Sequence, residues 1–303
     1  MEVIIIIIRQ LFIMFLYMAI GVALFRAKLV TKEGSRTLAH LLLYCILPCV
    51  IVKSFCLERT PENTAAFGAS LLWAFILLLA AMLVSFVFFR RSPVDNFGAA
   101  FSNAGFMGFP LITAVLGGNA VFYAAGFVAL LNALQWTYGQ WILTKDRKKV
   151  SFKVITTNPI VLSLLLGVIL FLAKIPVPAL LTSVMGTVAN MNAPVAMIVL
   201  GVYLAQTDIR KLFTTGRVYA VSAVRLLLIP LVSLLLLRLS PKLPPEISTA
   251  LLIAASAPVG SNVAVYAQKL EMDYTYAVQT VCLSTLLSVV TMPAILALSQ
   301  TLR

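Results

Sequence analysis

"NAGFMGFP", residues 103–110, is the stretch whose reading decides the fold. It lies inside an apolar run long enough to cross a membrane, yet it carries two glycines, an asparagine and a proline. Gly105 and Gly108 each weaken a helix by about 1 kcal/mol, and Pro110 removes a backbone donor and crowds the preceding turn. Hydrocarbon offers no water to the freed N–H and C=O groups, so a break survives only inside protein or beside a watery cavity. The stretch therefore predicts an interrupted helix that the rest of the chain must cover.

The composition places that helix in a membrane. Of 303 residues, 61% are hydrophobic and 11% charged, against about 45–50% and about 25% in soluble domains. Mean hydropathy is +1.03. Apolar runs recur from end to end, each long enough for a ~30 Å hydrocarbon core, and the alternation of a membrane barrel is absent. The expected class is an all-α polytopic membrane protein. Ten spans are expected at roughly 3–25, 38–57, 67–89, 94–117, 119–144, 157–173, 180–205, 216–237, 247–268 and 275–298. The first is too long for a cleaved signal and lacks a small-residue cleavage site. Cys45, Cys49, Cys56 and Cys282 lie in apolar segments and read as small core residues, not as disulfides or ligands.

The net charge of +13 does not point to nucleic acid, because its distribution is lopsided. Fifteen Lys and Arg residues fall in odd-numbered loops, against five in the even loops and the C-terminus. The positive-inside rule makes the odd loops cytoplasmic and both termini extracytoplasmic. Attraction to anionic lipid adds to the same bias.

The longest hydrophilic stretch, "TKDRKKVSFKVITTN" (144–158), divides the spans five and five. Landmarks repeat across it: Pro48 with Pro194, Pro110 with Pro258, and Arg26 with Lys174. An odd number of spans per half inverts the second half, and inverted repeats with broken helices at matched places mark transporters. Residues 1–144 and 157–303 are thus read as two five-helix repeats joined by a cytoplasmic linker, 145–156. Chance alignment of common membrane prolines is the competing reading.

The partner of the opening stretch is "ASAPVGSNVAVYAQ" (255–268), in span 9. Pro258 and Gly260 interrupt it, and Ser261 and Asn262 add polar groups. Beyond each break a half-helix starts near mid-membrane, one around Pro110 and the other around 259–261. Each presents unpaired N–H groups and about half a positive charge, so two together form an anion site without a buried cation. The alternative is a pair of packing kinks opened by small residues.

Asn132, Gln135 and Tyr138 in span 5 recur at three-residue spacing and read as one helix face beside the breaks. Arg225, deep in span 8, reads as lining an anion path or pairing with Asp95. Arg9 and Lys53 read as snorkelling from span ends. Asn190 and Asn192 precede the kink at Pro194. Every Asp and Glu is placed in loops or at interfaces, which leaves coupling to sodium or protons open. No cofactor or metal site and no nucleophile paired with a base is visible.

"SNAGFMGFPL" (102–111), "NPIVLSLLLGVIL" (158–170), "APVAMIVLGVYLAQ" (193–206) and "APVGSNVAVYAQKLEMDYTYAVQTVCLSTLLSVVTMPAI" (257–295) resemble the auxin efflux carrier family of transporters, in order and across nearly the whole chain. The resemblance implies a ten-span inverted repeat of the bile acid:sodium symporter-like superfold, with spans 4 and 9 crossing at the substrate site. It implies a scaffold of spans 1, 2, 6 and 7, often dimeric, and a moving domain of spans 3–5 and 8–10. It also implies secondary transport of a small organic anion through a bacterial inner membrane by alternating access. By matching position, Asn103, Gly105, Gly108, Pro110, Pro258, Ser261 and Asn262 are the expected substrate residues. The short linker favours a compact bacterial-type member. Gly260 stands where the family pattern has alanine, and is expected to widen the site. The competing functions are a sodium-coupled symporter of bile-acid-like or sterol-like anions, a channel, and a sensor built on a transporter fold.

Overall fold

The computed structural model describes residues 2–145, 156–240 and 243–301. Most of the expected linker, 146–155, lies outside the described residues, as do Lys242 and Arg303. All regular structure among the described residues is helical.

The helices are α1 (Glu2–Arg26), α2 (Lys32–Ser54), α3 (Pro61–Phe89), α4 (Pro93–Ala100), α5 (Ala104–Leu116), α6 (Gly118–Thr144), α7 (Pro159–Leu172), α8 (Ala179–Ala205), α9 (Ile209–Thr214), α10 (Gly216–Arg238), α11 (Pro245–Ser256), α12 (Asn262–Lys269) and α13 (Tyr274–Thr301). Seven of them, α1, α2, α3, α6, α8, α10 and α13, are long and apolar enough to cross a membrane. The protein is a multi-pass membrane protein.

Starts follow capping chemistry. Thr60 accepts from Asn63 N at 3.1 Å with Pro61 in the first turn, so α3 begins six residues earlier than hydropathy alone suggests. Thr31 does the same for α2 through Gly34 N. Asn158 caps α7 by accepting from Ile160 N and Val161 N.

Two helix ends are copies of each other. After α1, Lys28 takes φ 59°, Lys28 N donates to Phe25 O and Leu29 N donates to Leu24 O. After α7, Lys174 takes φ 55°, Lys174 N donates to Phe171 O and Ile175 N donates to Leu170 O. Both are the same left-handed helix stop, with paired 5→2 and 6→1 bonds. The residues that do it, "LFRAKL" and "LFLAKI", also match. The helix stop at Lys174 thus matches the one at Lys28 in geometry, two residues beyond the Arg26 that the sequence comparison paired with it.

α1 lies along the second half of α8 with backbones touching. A β-carbon added at Gly21 would collide with the Ile198 carbonyl, and one added at Gly201 with the Met18 carbonyl. Small residues permit this approach where lipid supplies no hydrophobic drive between helices. α2 packs on α7 and α8, while α3, α6, α10 and α13 surround the shorter helices α4, α5, α11 and α12. All four cysteines are free thiols; Cys282 is buried as expected, but Cys45 is exposed on α2.

Candidate functional site: the crossing of two broken helices

The 103–110 stretch is interrupted at its front edge. α4 ends at Ala100, Phe101 is extended (φ −112°, ψ 114°), and Asn103 leads into α5. The new helix starts at Ala104 with a wide π turn, Ala104–Gly108. Pro110 therefore sits inside the second turn, after the start predicted for it, and costs little because the widened turn has already displaced the bond it would break. In the second break α11 ends at Ser256, Ala257 is extended (φ −60°, ψ 149°), and α12 begins at Asn262.

The two extended segments satisfy each other. Ser102 and Val259 form an isolated antiparallel bridge. Asn103 N donates to Pro258 O at 2.7 Å, and Gly260 N donates to Phe101 O at 2.9 Å. Ser102 Oγ donates to Ala254 O at 2.9 Å, and Val259 N donates to Ser284 Oγ at 3.1 Å. Each break thus supplies donors and acceptors that hydrocarbon cannot. Gly260 closes this contact: a β-carbon there would sit 3.1 Å from Ser102 O and 3.2 Å from Phe101 O. Its smallness lets the backbones meet, rather than widening the site as expected from the sequence.

Arg225 organises one side of the crossing. Its side chain is 1% exposed. Nη1 donates to Ala99 O at 3.0 Å and Ala100 O at 3.2 Å, and Nη2 donates to Ala255 O. These are the last carbonyls of α4 and α11, where two helix dipoles end negative. One guanidinium therefore covers both C-termini. The pairing with Asp95 expected from the sequence does not occur, and Arg225 does not line the polar cavity at the crossing. Asp95 is instead buried in the first turn of α4, where Oδ2 accepts from Arg217 Nε at 2.5 Å and Oδ1 from Tyr276 OH at 2.7 Å. Pro93 opens this helix, two residues before it.

The other side of the crossing is left to the positive helix ends. Neither Asn103 before α5 nor Ser261 before α12 makes a side-chain cap bond. Between these ends lies a cavity of about 30 Å³ whose polar lining includes Ser102, Asn103, Asn132, Gln135, Ser261 and Asn262, with Gly105 and Gly260 in its wall. That is room for roughly two waters. Asn262 Nδ2 donates to Gln135 Oε1 at 2.7 Å. Asn132 Nδ2 turns back to Val128 O at 2.8 Å. Asn103 Nδ2 and Gln135 Nε2 are buried and meet no partner among the described residues. An unpaired buried donor costs about 1–3 kcal/mol, and two in one cavity suit an acceptor with oxygens to offer.

Four other expected residues stand elsewhere. Gly108 packs on Ala254 in α11. Pro110 lines a separate cavity further along α5. Pro258 contributes its carbonyl. Tyr138 donates to Asn96 Oδ1 at 3.2 Å, away from the cavity. Asn192 at the α8 turn donates through Nδ2 to Gly105 O at 2.9 Å and so holds the first break from outside. Among the described residues no group of three or more His, Cys, Asp or Glu could hold a metal.

A multi-pass helical chain with two mutually satisfied breaks defines a membrane transporter architecture, and the chain belongs to the membrane transport protein family, whose profile matches residues 6–154 and 147–296. This bears out the resemblance to the auxin efflux carriers, and the protein is a transporter, not an enzyme. A relative in Rhizobium meliloti (strain 1021), named "Putative malonate transporter", is 27% identical in an alignment 292 positions long that covers 90% of each chain.

Proposed function

We propose that the protein is a secondary transporter that moves a small organic anion, with malonate-like dicarboxylates as the first class to test, by alternating access at the crossing. The observation that carries this reading is the pair of partnerless amide donors, Asn103 Nδ2 and Gln135 Nε2, in a cavity set between two uncapped helix N-termini. Arg225 neutralises the C-terminal ends on the opposite side. The dipoles left facing the cavity are then net positive, which favours a carboxylate. Asn262 and Gln135 fix the cavity wall, and Ser261 and Asn132 border it. A cavity this small supports a carrier that opens to admit substrate rather than a standing pore.

The architecture that goes with this reading is a five-plus-five inverted repeat of ten spans, with spans 4 and 9 supplied by α4–α5 and α11–α12. The matching helix stops at Lys28 and Lys174 support the repeat. α1, α2, α7 and α8 then form the scaffold, held by the Gly21–Gly201 contact, and the other helices carry the crossing. The charge bias supports cytoplasmic odd loops and extracytoplasmic termini in an inner membrane. A homodimer through the scaffold follows from the family resemblance.

The test is a thermal-shift screen of purified protein with malonate, malate, indole acids and bile acids, each with and without sodium. Stabilisation by dicarboxylates that grows with concentration supports the reading. Stabilisation by bile acids alone, and only with sodium, would overturn it in favour of the symporter alternative.

A further inference from the structure

A second cavity, of about 290 Å³, lies further along α5 than the crossing. Gln10 of α1, Lys53 of α2, Pro110 of α5, Asn119 of α6, and Asn190 and Asn192 of α8 line it. The sequence suggests that Lys53 snorkels away from the protein. Lys53 is exposed, and its Nζ lies 2.8 Å from the point where a Gly186 β-carbon would sit, so the side chain reaches along α8 over a position that glycine leaves open. The ammonium has no ion pair or hydrogen bond to a described residue. The cavity lining contains no carboxylate. The Asn119 and Asn190 amides also line it.

An unpaired ammonium beside an amide-lined cavity with no carboxylate in its wall attracts an anion. The cavity is also about ten times the size of the one at the crossing, which is enough for a small dicarboxylate and several waters. The two cavities share a wall. Asn192 lines the larger, and its Nδ2 holds the carbonyl of Gly105, which lines the smaller. We infer that the Lys53 cavity is a second anion station, taking a small carboxylate between the ammonium and the Asn119 and Asn190 amides before or after it occupies the crossing.

This deepens the transport reading and rests on it, and the test separates the two. Purified full-length protein is labelled with a water-soluble amine-reactive reagent, and the rate at Lys53 is read by peptide mass mapping, with Lys28 and Lys174 as internal controls. Malonate at about ten times its half-protecting concentration should slow labelling at Lys53 about tenfold and leave the controls unchanged. The protection should persist in Asn103→Ala, whose own defect is at the crossing. Four results would overturn the station: no protection in wild type, equal protection by chloride at the same ionic strength, equal slowing at the control lysines, or protection that vanishes in Asn103→Ala. Normal uptake by Asn103→Ala would instead remove the crossing reading, and the labelling result would still be decided.

Discussion

Asn262 Nδ2 donates to Gln135 Oε1 at 2.7 Å, joining positions 127 residues apart across the crossing. The bond fixes which way both amides point, and it is what leaves Gln135 Nε2 as a free donor in the cavity. Losing either partner releases the other. Gln135→Ala and Asn262→Ala are each expected to lower malonate transport about tenfold, and the double variant only a little further, because residues acting as a unit are not additive. A double-mutant cycle in proteoliposomes measures this. Multiplying defects would show that the two side chains act independently.

Arg225 holds the C-termini of α4 and α11 through three backbone carbonyls. Bonds to a charged donor contribute about 1.5–3 kcal/mol each, so Arg225→Met should destabilise the fold by on the order of 3 kcal/mol or more. Arg225→Lys can reach one or two carbonyls but cannot fork across two helices, and should lie between. The melting midpoint in detergent is the readout. Equal midpoints for wild type and Arg225→Met would exclude the capping role.

Gly260 separates the two crossing backbones by less than an alanine needs without adjustment. Gly260→Ala should fold with a loss of about 1 kcal/mol and transport several-fold more slowly, while Gly260→Leu should abolish uptake. Faster uptake by Gly260→Ala would contradict the packing assigned to it.

Gly201 rests against the Met18 carbonyl where α1 meets α8. Overpacking at this line costs about 1–3 kcal/mol or more, so Gly201→Val should lower folded yield and melting midpoint far more than Gly216→Val, where nothing stands within 4 Å. Similar behaviour of the two variants would remove the α1–α8 contact as a structural anchor.

The broken helices were readable because Gly, Pro and Asn have few uses at mid-membrane, and two such clusters at matched places imply each other. What the breaks hold on to was not readable. Arg225 is bonded to carbonyls of Ala99, Ala100 and Ala255, and a backbone acceptor leaves no trace in residue type. A deep arginine in a sequence invites a search for a carboxylate, and Asp95 was the nearest candidate in kind, yet it is occupied by Arg217 and Tyr276. The face of Asn132, Gln135 and Tyr138 failed at its last member for a geometric reason. Each three-residue step falls about 60° short of a turn, and the π turn at Gln135–Gly139 turns Tyr138 toward Asn96. The start of α5 was placed too late because proline marks a first turn in sequence, while here Asn103 and a π turn come first.

The central claim, that the cavity at the crossing is where substrate binds, is tested most directly by uptake of labelled malonate into proteoliposomes containing wild type or Asn103→Ala. The account predicts saturable uptake by wild type and a loss of about tenfold or more in Asn103→Ala, with the melting midpoint of the variant unchanged. Wild-type uptake kinetics in Asn103→Ala would contradict it, and would leave the crossing as a structural joint only.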